Sequence, residues 1–565
     1  MGSKTMKIGH DLIQPVEIGK QSSEDGKIVR LRRILPQVLA TTAKSSMILS
    51  SGMITAFPQI LISVLTNETG AFHLSLEQAS WYGSISFIFQ PFGSLLSGAL
   101  LQPFGCRRLM ILINLPTFAC WMLTYYATSV FDLYVTSALF GFVVGLMEAP
   151  TIRYIGEIAH PSLRAILTTY SQTYLNVAYI LIYYLASFTD WRHEALICGT
   201  VPIICAIALL WVPETPMWLM SKGRPMEALK SLQWLRGWTS VAEVKAEFDK
   251  LKIYAKKNKS QRILSPIEEG DPNDEEERQN LLSSNRSSRY TEDSAINSDS
   301  SIDEGDIDNI RIGPINHIEE LEDFEERSVT KKLRGLARRD LLVPMGKCML
   351  LFTLNVLCGV KPMQPFMLKI FDQLKLPVQP NELSGFQSTI NLVNTVLFIC
   401  IIERVGKKRL LLFCSTLAIV CLSLLALLTR KLSANPENGL DDDPVTQWLV
   451  MALFVVHTFS LSLGIWPIPW IYVSEILPFK GRGIATGIIV SYFYIIIFTG
   501  VKSYPTLVQE LNLDGTFLFF ALISIPCVCA AYFVLPETEG RFLADIEAEV
   551  TQKNLEKERL DYLEI

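Results

Sequence analysis

The chain has 565 residues, of which 49% are hydrophobic, and its mean hydropathy is +0.29. The formal charge of −5 is unevenly spread: residues 267–327 hold 20 Asp/Glu against 5 Lys/Arg, a local charge of −15, so the remainder is basic by about +10. A basic, apolar body with an acidic insert argues against an ordinary soluble enzyme and against a nucleic-acid binder.

Residues 1–33 are polar and contain no apolar stretch of the signal-peptide kind, so the first apolar run reads as a retained anchor. A bilayer-spanning helix needs roughly 20 mostly apolar residues. Twelve runs qualify, at about 35–62, 79–101, 109–127, 131–152, 165–188, 194–212, 345–371, 384–402, 410–428, 446–471, 483–508 and 515–535. The expected protein is all-α: 12 transmembrane helices in two six-helix halves. A tail over 1–34 precedes the first bundle at 35–212. A loop at 213–343 separates it from the second bundle at 344–540, and 541–565 forms the last tail. With the N-terminus inside, cytoplasmic connections hold ten basic residues (Arg107, Arg108, Arg153, Arg164, Arg404, Lys407, Lys408, Arg409, Lys480, Arg482) against six outside, which makes both termini cytoplasmic.

All eleven Cys fall in or beside these runs, as expected of small apolar packing residues, so no structural disulfide is expected. Asn67-Glu-Thr69 is a glycosylation sequon in a loop that this topology places outside. Within the long loop, residues 222–257 have helical spacing and read as short amphipathic helices under the bundle. Residues 260–327, rich in Ser, Asp, Glu and Asn, read as disordered. They include Glu277-Arg-Gln-Asn-Leu281-Leu282, an acidic dileucine pattern of the type that a clathrin adaptor reads.

The halves echo each other. Pro103-Phe-Gly-Cys-Arg107-Arg108 between runs 2 and 3 answers to Glu403-Arg404-Val-Gly-Lys-Lys-Arg409 between runs 8 and 9. Arg153-Tyr-Ile-Gly-Glu157 with Arg164 answers to Tyr472-Val-Ser-Glu475 with Arg482, and Pro213-Glu214-Thr answers to Pro536-Glu537-Thr. A parallel repeat of six spans is the internal symmetry of one transporter class. The repeated acids at helix ends beside arginines suit a cytoplasmic clasp of Arg107, Arg108, Glu157, Arg164, Glu214, Glu403, Arg404, Glu475, Arg482 and Glu537. Any single pair is equally well read as a topology signal.

At these motifs the chain resembles the sugar porter family of the major facilitator superfamily, over about 35–255 and 340–545. Pro213-Glu-Thr-Pro-Met-Trp-Leu219 and Pro467-Ile-Pro-Trp470 are the strongest pieces. Gln37-Val-Leu-Ala40 and Leu232-Gln-Trp-Leu-Arg-Gly237 are most similar to the insect facilitated trehalose transporter branch. The resemblance implies the major facilitator fold and facilitative transport of a sugar or polyol by alternating access. It implies solute contacts at Gln172, Asn394 and Trp470, a set that suits a polyol because amides pair donors with acceptors and an indole packs on C–H faces. It also shows departures. Where the family has Gln-Gln-x-Ser-Gly-x-Asn in span 7, this chain has Asn355-Val-Leu-Cys-Gly-Val-Lys361. The span 11 Asn and Trp become Phe493 and Tyr494, and the Arg at the start of span 4 becomes Ser137.

Asn355 and Lys361 therefore stand at an altered span 7 face. A Lys within a span faces a cavity or a partner, so Lys361 either meets an anionic solute or pairs inside the bundle. Lys44, early in span 1, is expected to snorkel, with lining of the cytoplasmic cavity as the alternative, and Glu148, late in span 4, is a further intramembrane charge. Span 1 has Ile54 where proton-coupled sugar porters place an Asp. Gly464, Pro467 and Pro469 should loosen span 10. The alternatives to a sugar carrier are a carrier of an organic anion using Lys361 and a non-transporting sensor or scaffold. No nucleotide loop, metal cluster or catalytic triad is evident, so catalytic residues, metals and cofactors are not expected. The expected partners are the solute and membrane lipid, in the plasma membrane or an endosomal or lysosomal one.

Overall fold

The computed structural model describes residues 23–67, 73–160, 163–253, 339–434, 444–477 and 482–535. The first set of helices is α1 (Ser23–Asn67), α2 (Leu76–Phe104), α3 (Cys106–Tyr125), α4 (Val130–Ile158), α5 (Arg164–Ala186) and α6 (Trp191–Leu210). Their starts are written locally. Ser75 accepts from the Gln78 N–H while the Gln78 side chain accepts from the Ser75 N–H, and Ser129 and Asp132 repeat the exchange before α4. Gly105, at φ 83°, makes the abrupt joint between α2 and α3.

Short helices α7 (Pro216–Ser221), α8 (Pro225–Leu235) and α9 (241–253) follow, closed around Trp218, Leu219, Ala228, Leu232, Val244 and Phe248. Arg236 ties this group down by donating to both Glu247 oxygens, at 2.9 and 2.6 Å, and to the Ile158 carbonyl at 3.1 Å. The amphipathic helices expected over 222–257 are present as far as residue 253. Glu277, Leu281 and Leu282 of the dileucine pattern, and Glu537, lie outside the described residues.

The second set begins with α10 (Arg339–Leu357), α11 (Val360–Met363), a 3-10 turn at Gln364–Phe366 and α12 (Met367–Gln373). The expected seventh span is thus broken: Gly359 takes φ 90°, and the axis bends by 47° there. Then come α13 (Pro380–Val405), α14 (Lys407–Ala434), α15 (Pro444–Ser460), a π-helical turn at Leu461–Ile465, α16 (Pro467–Ile476) and α17 (Arg482–Val534). A straight helix of 53 residues would run about 80 Å. Asn512, at φ 59° and ψ −179°, divides α17 in two, so runs 11 and 12 of the sequence meet at one non-helical residue rather than across a loop.

Among the described residues, eight helices are long and apolar enough to cross a membrane, or nine if the pair bent at Gly359 counts as one span. Neither α5 nor α13 is among them. Both are interrupted by amides, Gln172 and Asn176 on the first and Asn391 and Asn394 on the second. These two helices pack on each other across the two sets, and α2 packs on α17 in the same way.

Within the first set, α2 and α4 lie in close contact. A Cβ added at Gly93, Gly141 or Gly145 would run into the carbonyl oxygen of Phe142, Ser86 or Gln90 respectively. Small residues allow this backbone approach, as in other membrane helix pairs. Edge-to-face rings fill each core: Phe57, Trp121 and Phe140 in the first set, and Phe371, Phe454 and Phe517 in the second. All eleven Cys are free thiols.

Candidate functional site

The connections place Asn67 at one end of the bundle and Glu214 at the other. Side-chain contacts joining the two sets gather toward the Asn67 end. At the rim, the Asn67 side-chain amide donates to Asp372 Oδ2 at 3.1 Å. Lys502 Nζ donates to Ser80 Oγ at 2.9 Å and lies 4.3 Å from the Trp81 ring centre. Deeper in, Asn176 Nδ2 on α5 donates to Thr395 Oγ1 on α13 at 3.1 Å. The innermost tie is a three-helix group. Gln90 Nε2 on α2 donates to Glu148 Oε1 on α4 at 3.1 Å and to the Tyr494 hydroxyl on α17 at 2.8 Å, and that hydroxyl donates to the same Glu148 oxygen. The glycine contacts of α2 and α4 set the register that brings Gln90 to Glu148.

The sequence-predicted solute residues divide into two groups. Gln172 is exposed; it lies on the same face of α5 as Asn176, one turn nearer the Glu214 end. Trp470 is half-buried and packs edge-on to Phe352 at 5.0 Å and to Phe493 at 5.9 Å. Lys361 is half-buried; its ammonium donates to Gln364 Oε1 at 3.0 Å and sits 4.2 Å from the centre of the Trp466 ring, a cation–π contact. Asn355 and Asn394 are buried elsewhere. Asn355 Nδ2 donates to the Ile465 carbonyl at 2.9 Å, and Asn394 Nδ2 to the Phe459 carbonyl at 3.2 Å and Ser462 Oγ at 2.5 Å. Both brace the π-helical turn, whose wide ring accommodates the missing N–H of Pro467. Lys44 does not snorkel: it is buried and donates to Ser171 Oγ at 3.0 Å, because α5 offers a hydroxyl beside it.

The residues of the expected clasp form knots inside each set. Glu214 accepts from the backbone N–H of Arg107, at 3.1 Å on both oxygens, and of Arg108 at 3.3 Å, which places a carboxylate on the N-terminus of α3. The Arg107 side chain turns to the carbonyls of Leu209 and Leu210 at the end of α6. Arg153 pairs with Glu157 at 2.6 Å, and Lys407 with Glu475 at 2.7 Å. Arg108 lies 5.9 Å from the Trp218 ring centre, and Arg404 is exposed at the end of α13. Arg164 starts α5, Glu403 lies in the last turn of α13 and Arg482 starts α17.

The sequence profile described as "Sugar (and other) transporter" matches residues 37–269 and 305–550. The chain belongs to that family. It is a membrane transport protein of the sugar transporter family and not an enzyme. It is 26% identical over 517 residues to the facilitated trehalose transporter Tret1 of Apis mellifera ligustica, covering 91% of this chain and 88% of that one. Tret1 of Polypedilum vanderplanki is 25% identical over 537 residues, covering 94% and 92%. Among solved structures, the proton:xylose symporter XylE bound to 6-bromo-6-deoxy-D-glucose aligns with a TM-score of 0.59 at 16% identity, covering 91% of this chain and 99% of XylE. The inward-open form of XylE from E. coli gives 0.60 at 15% identity, covering 91% and 98%. The fold is that of the major facilitator superfamily.

In the sequence Glu148 was legible only as an intramembrane charge and Tyr494 only as a departure in span 11; Gln90, which completes the inner tie, was not singled out. An acid in mid-span is costly without donors, and that cost is the signal to search neighbouring helices for a Gln and a Tyr.

Proposed function

We propose that this chain carries a sugar down its gradient across a membrane, by alternating access between two six-helix halves that together make twelve passes. The observation that carries the reading is the one-sided seam. The described ties between the sets run from Asn67 and Asp372 inward to Glu148 and Tyr494, and Gln172 lies exposed on the α5 face just beyond Asn176. Such an arrangement fits a carrier closed at the Asn67 end with its solute face open toward Glu214. The excess of Arg and Lys in the connections at the Glu214 end supports a cytoplasmic position for that end and for both termini.

In this reading Gln172, Asn176, Trp470 and Gln364 face the solute, Lys361 borders it, and Asn355 and Asn394 shape the turn behind Trp470. The knots around Glu214, Arg153–Glu157 and Lys407–Glu475 stiffen each half at its cytoplasmic rim. Asn67 carries a glycan when the sequon is used, and Glu277, Leu281 and Leu282 recruit a clathrin adaptor that cycles the carrier between plasma membrane and endosomes. The relatives named as facilitated trehalose transporters support a disaccharide or hexose as cargo.

Counterflow with the purified full chain in proteoliposomes tests the proposal. Vesicles loaded with unlabelled trehalose or glucose are expected to accumulate the labelled sugar transiently. Correctly folded protein that exchanges neither sugar would leave the organic-anion carrier and the sensor or scaffold readings.

A further inference from the structure

Two intramembrane charges flank the seam, and they are not paired with each other. A line of contacts joins them: Lys361 lies over Trp466, Trp466 rests against Phe493 at 6.3 Å, Phe493 against Tyr494 at 5.8 Å, and Tyr494 donates to Glu148. Three aromatic rings therefore stand between ammonium and carboxylate. The ammonium is covered, by the Gln364 amide oxygen and the face of the indole.

The carboxylate is left differently. Gln90 and Tyr494 converge on a single oxygen, Oε1, so the tie between the sets does not consume Oε2. Ser94 adds a hydroxyl. No cation pairs with Glu148 among the described residues, and the residue is half-buried, whereas its partner Tyr494 is buried. Its place matters as much as its partners. Glu148 belongs to the innermost of the described ties between the two sets, which is where a solute passing between the sets would meet it.

A carboxylate inside a membrane is tolerated only when donors surround it. Hydroxyl groups are suitable donors. With Oε1 taken by Gln90 and Tyr494, adjacent hydroxyls of a sugar ring can share the lone pairs of Oε2, and charge-assisted bonds of this kind are the stronger ones. The half-buried rings of Trp466 and Trp470 can offer the apolar faces that the C–H side of such a ring needs. A second negative charge would be repelled at the same place.

We propose that Glu148 is a solute-contacting residue: its carboxylate receives hydrogen bonds from adjacent hydroxyls of a neutral polyhydroxylated solute, and Gln90 and Tyr494 position it. This rests on the sugar-carrier reading above and narrows it, because the same carboxylate turns organic anions away. It also supplies, from α4, part of the polar contact that spans 7 and 11 lack.

The test is inhibition of labelled glucose counterflow by glucose, by its 2-, 3-, 4- and 6-deoxy forms and by glucuronate, in proteoliposomes of the full chain. In the wild type, one or two deoxy sugars are expected to bind on the order of tenfold more weakly than glucose, and glucuronate to compete poorly. In Glu148→Gln, glucose should weaken by a similar factor, those same deoxy sugars should weaken no further, and glucuronate should gain. Tyr494→Phe keeps the carboxylate and so should keep the order of the deoxy sugars while changing the maximal rate. A Glu148→Gln carrier that weakens every sugar by one common factor would make Glu148 a tie between the sets and nothing more, and would overturn the proposal. So would a wild type that prefers glucuronate or an amino acid to glucose. If Glu148→Gln does not fold, the wild-type panel decides alone: indifference to every deoxy position, or preference for glucuronate, overturns it. Wild-type protein that moves neither glucose nor trehalose refutes the sugar-carrier reading itself, a result separate from any of these.

Discussion

Asn355 and Asn394 stand on different helices, yet both donate their side-chain amides to the same wide turn of span 10, at the Ile465 carbonyl and Ser462 Oγ, and Asn394 also reaches the Phe459 carbonyl just before it. Both side chains are buried, and each removal takes a donor from a main-chain carbonyl. Asn355→Ala and Asn394→Ala are each expected to destabilise the fold by about 1 kcal/mol or somewhat more. Because both act on one turn, the double variant should lose a different amount than the two single losses summed. Thermal melting in detergent measures all three, and additive losses would show that the two amides act independently.

The glycine contact between α2 and α4 gives a sharper contrast. Gly145→Ala sets a methyl against the Gln90 carbonyl oxygen, while Gly98→Ala on the same pair of helices meets nothing within 4 Å. The first should lower stability by about 1–3 kcal/mol and reduce monodisperse yield. The second should be neutral or raise stability by about 0.5–1 kcal/mol, since Ala favours the helix. Equal melting temperatures for the two variants would count against the packing described.

At the rim, the tips of Asn67 and Asp372 lie 3.1 Å apart across the two sets. Cysteines at both positions, joined by a short bifunctional thiol reagent with a reducible bond, are expected to arrest counterflow. Reduction should restore it, and neither single Cys variant should be arrested by the reagent. Transport that continues through the cross-linked carrier would mean that this end need not open.

Glu214 serves as acceptor for the first N–H groups of α3 and is buried. Glu214→Ala should cost about 1–2 kcal/mol, as removal of a helix cap does, and Glu214→Gln should recover part of that through its remaining carbonyl oxygen. Melting curves of the two variants give the comparison. An equal loss in both would assign the effect to charge at the helix end rather than to the hydrogen bonds.

Most of the spans were legible because the bilayer fixes their length and apolarity, and Pro467 announced the break in span 10; the break at Gly359 in span 7 was not foreseen. Side-chain partners were less legible, since they depend on the register between helices. Asn394 reads as a polar group facing a solute, but its partners are the Phe459 carbonyl and Ser462 hydroxyl, 65 and 68 residues further on. Lys44 reads as a residue close enough to the surface to reach it, yet Ser171 on another helix meets it first. Glu148 was visible as an intramembrane charge; the glycines that bring Gln90 to it had no meaning until α2 and α4 were seen to pair.

With no side chain between them at Gly93, Gly141 and Gly145, α2 and α4 have no room to slide on each other. Tyr494 reaches them from outside that pair, through one hydroxyl. The molecule therefore has something like the grain of a layered mineral. It is hard to shear within the α2–α4 sheet and ready to part along the plane where Tyr494 lets go.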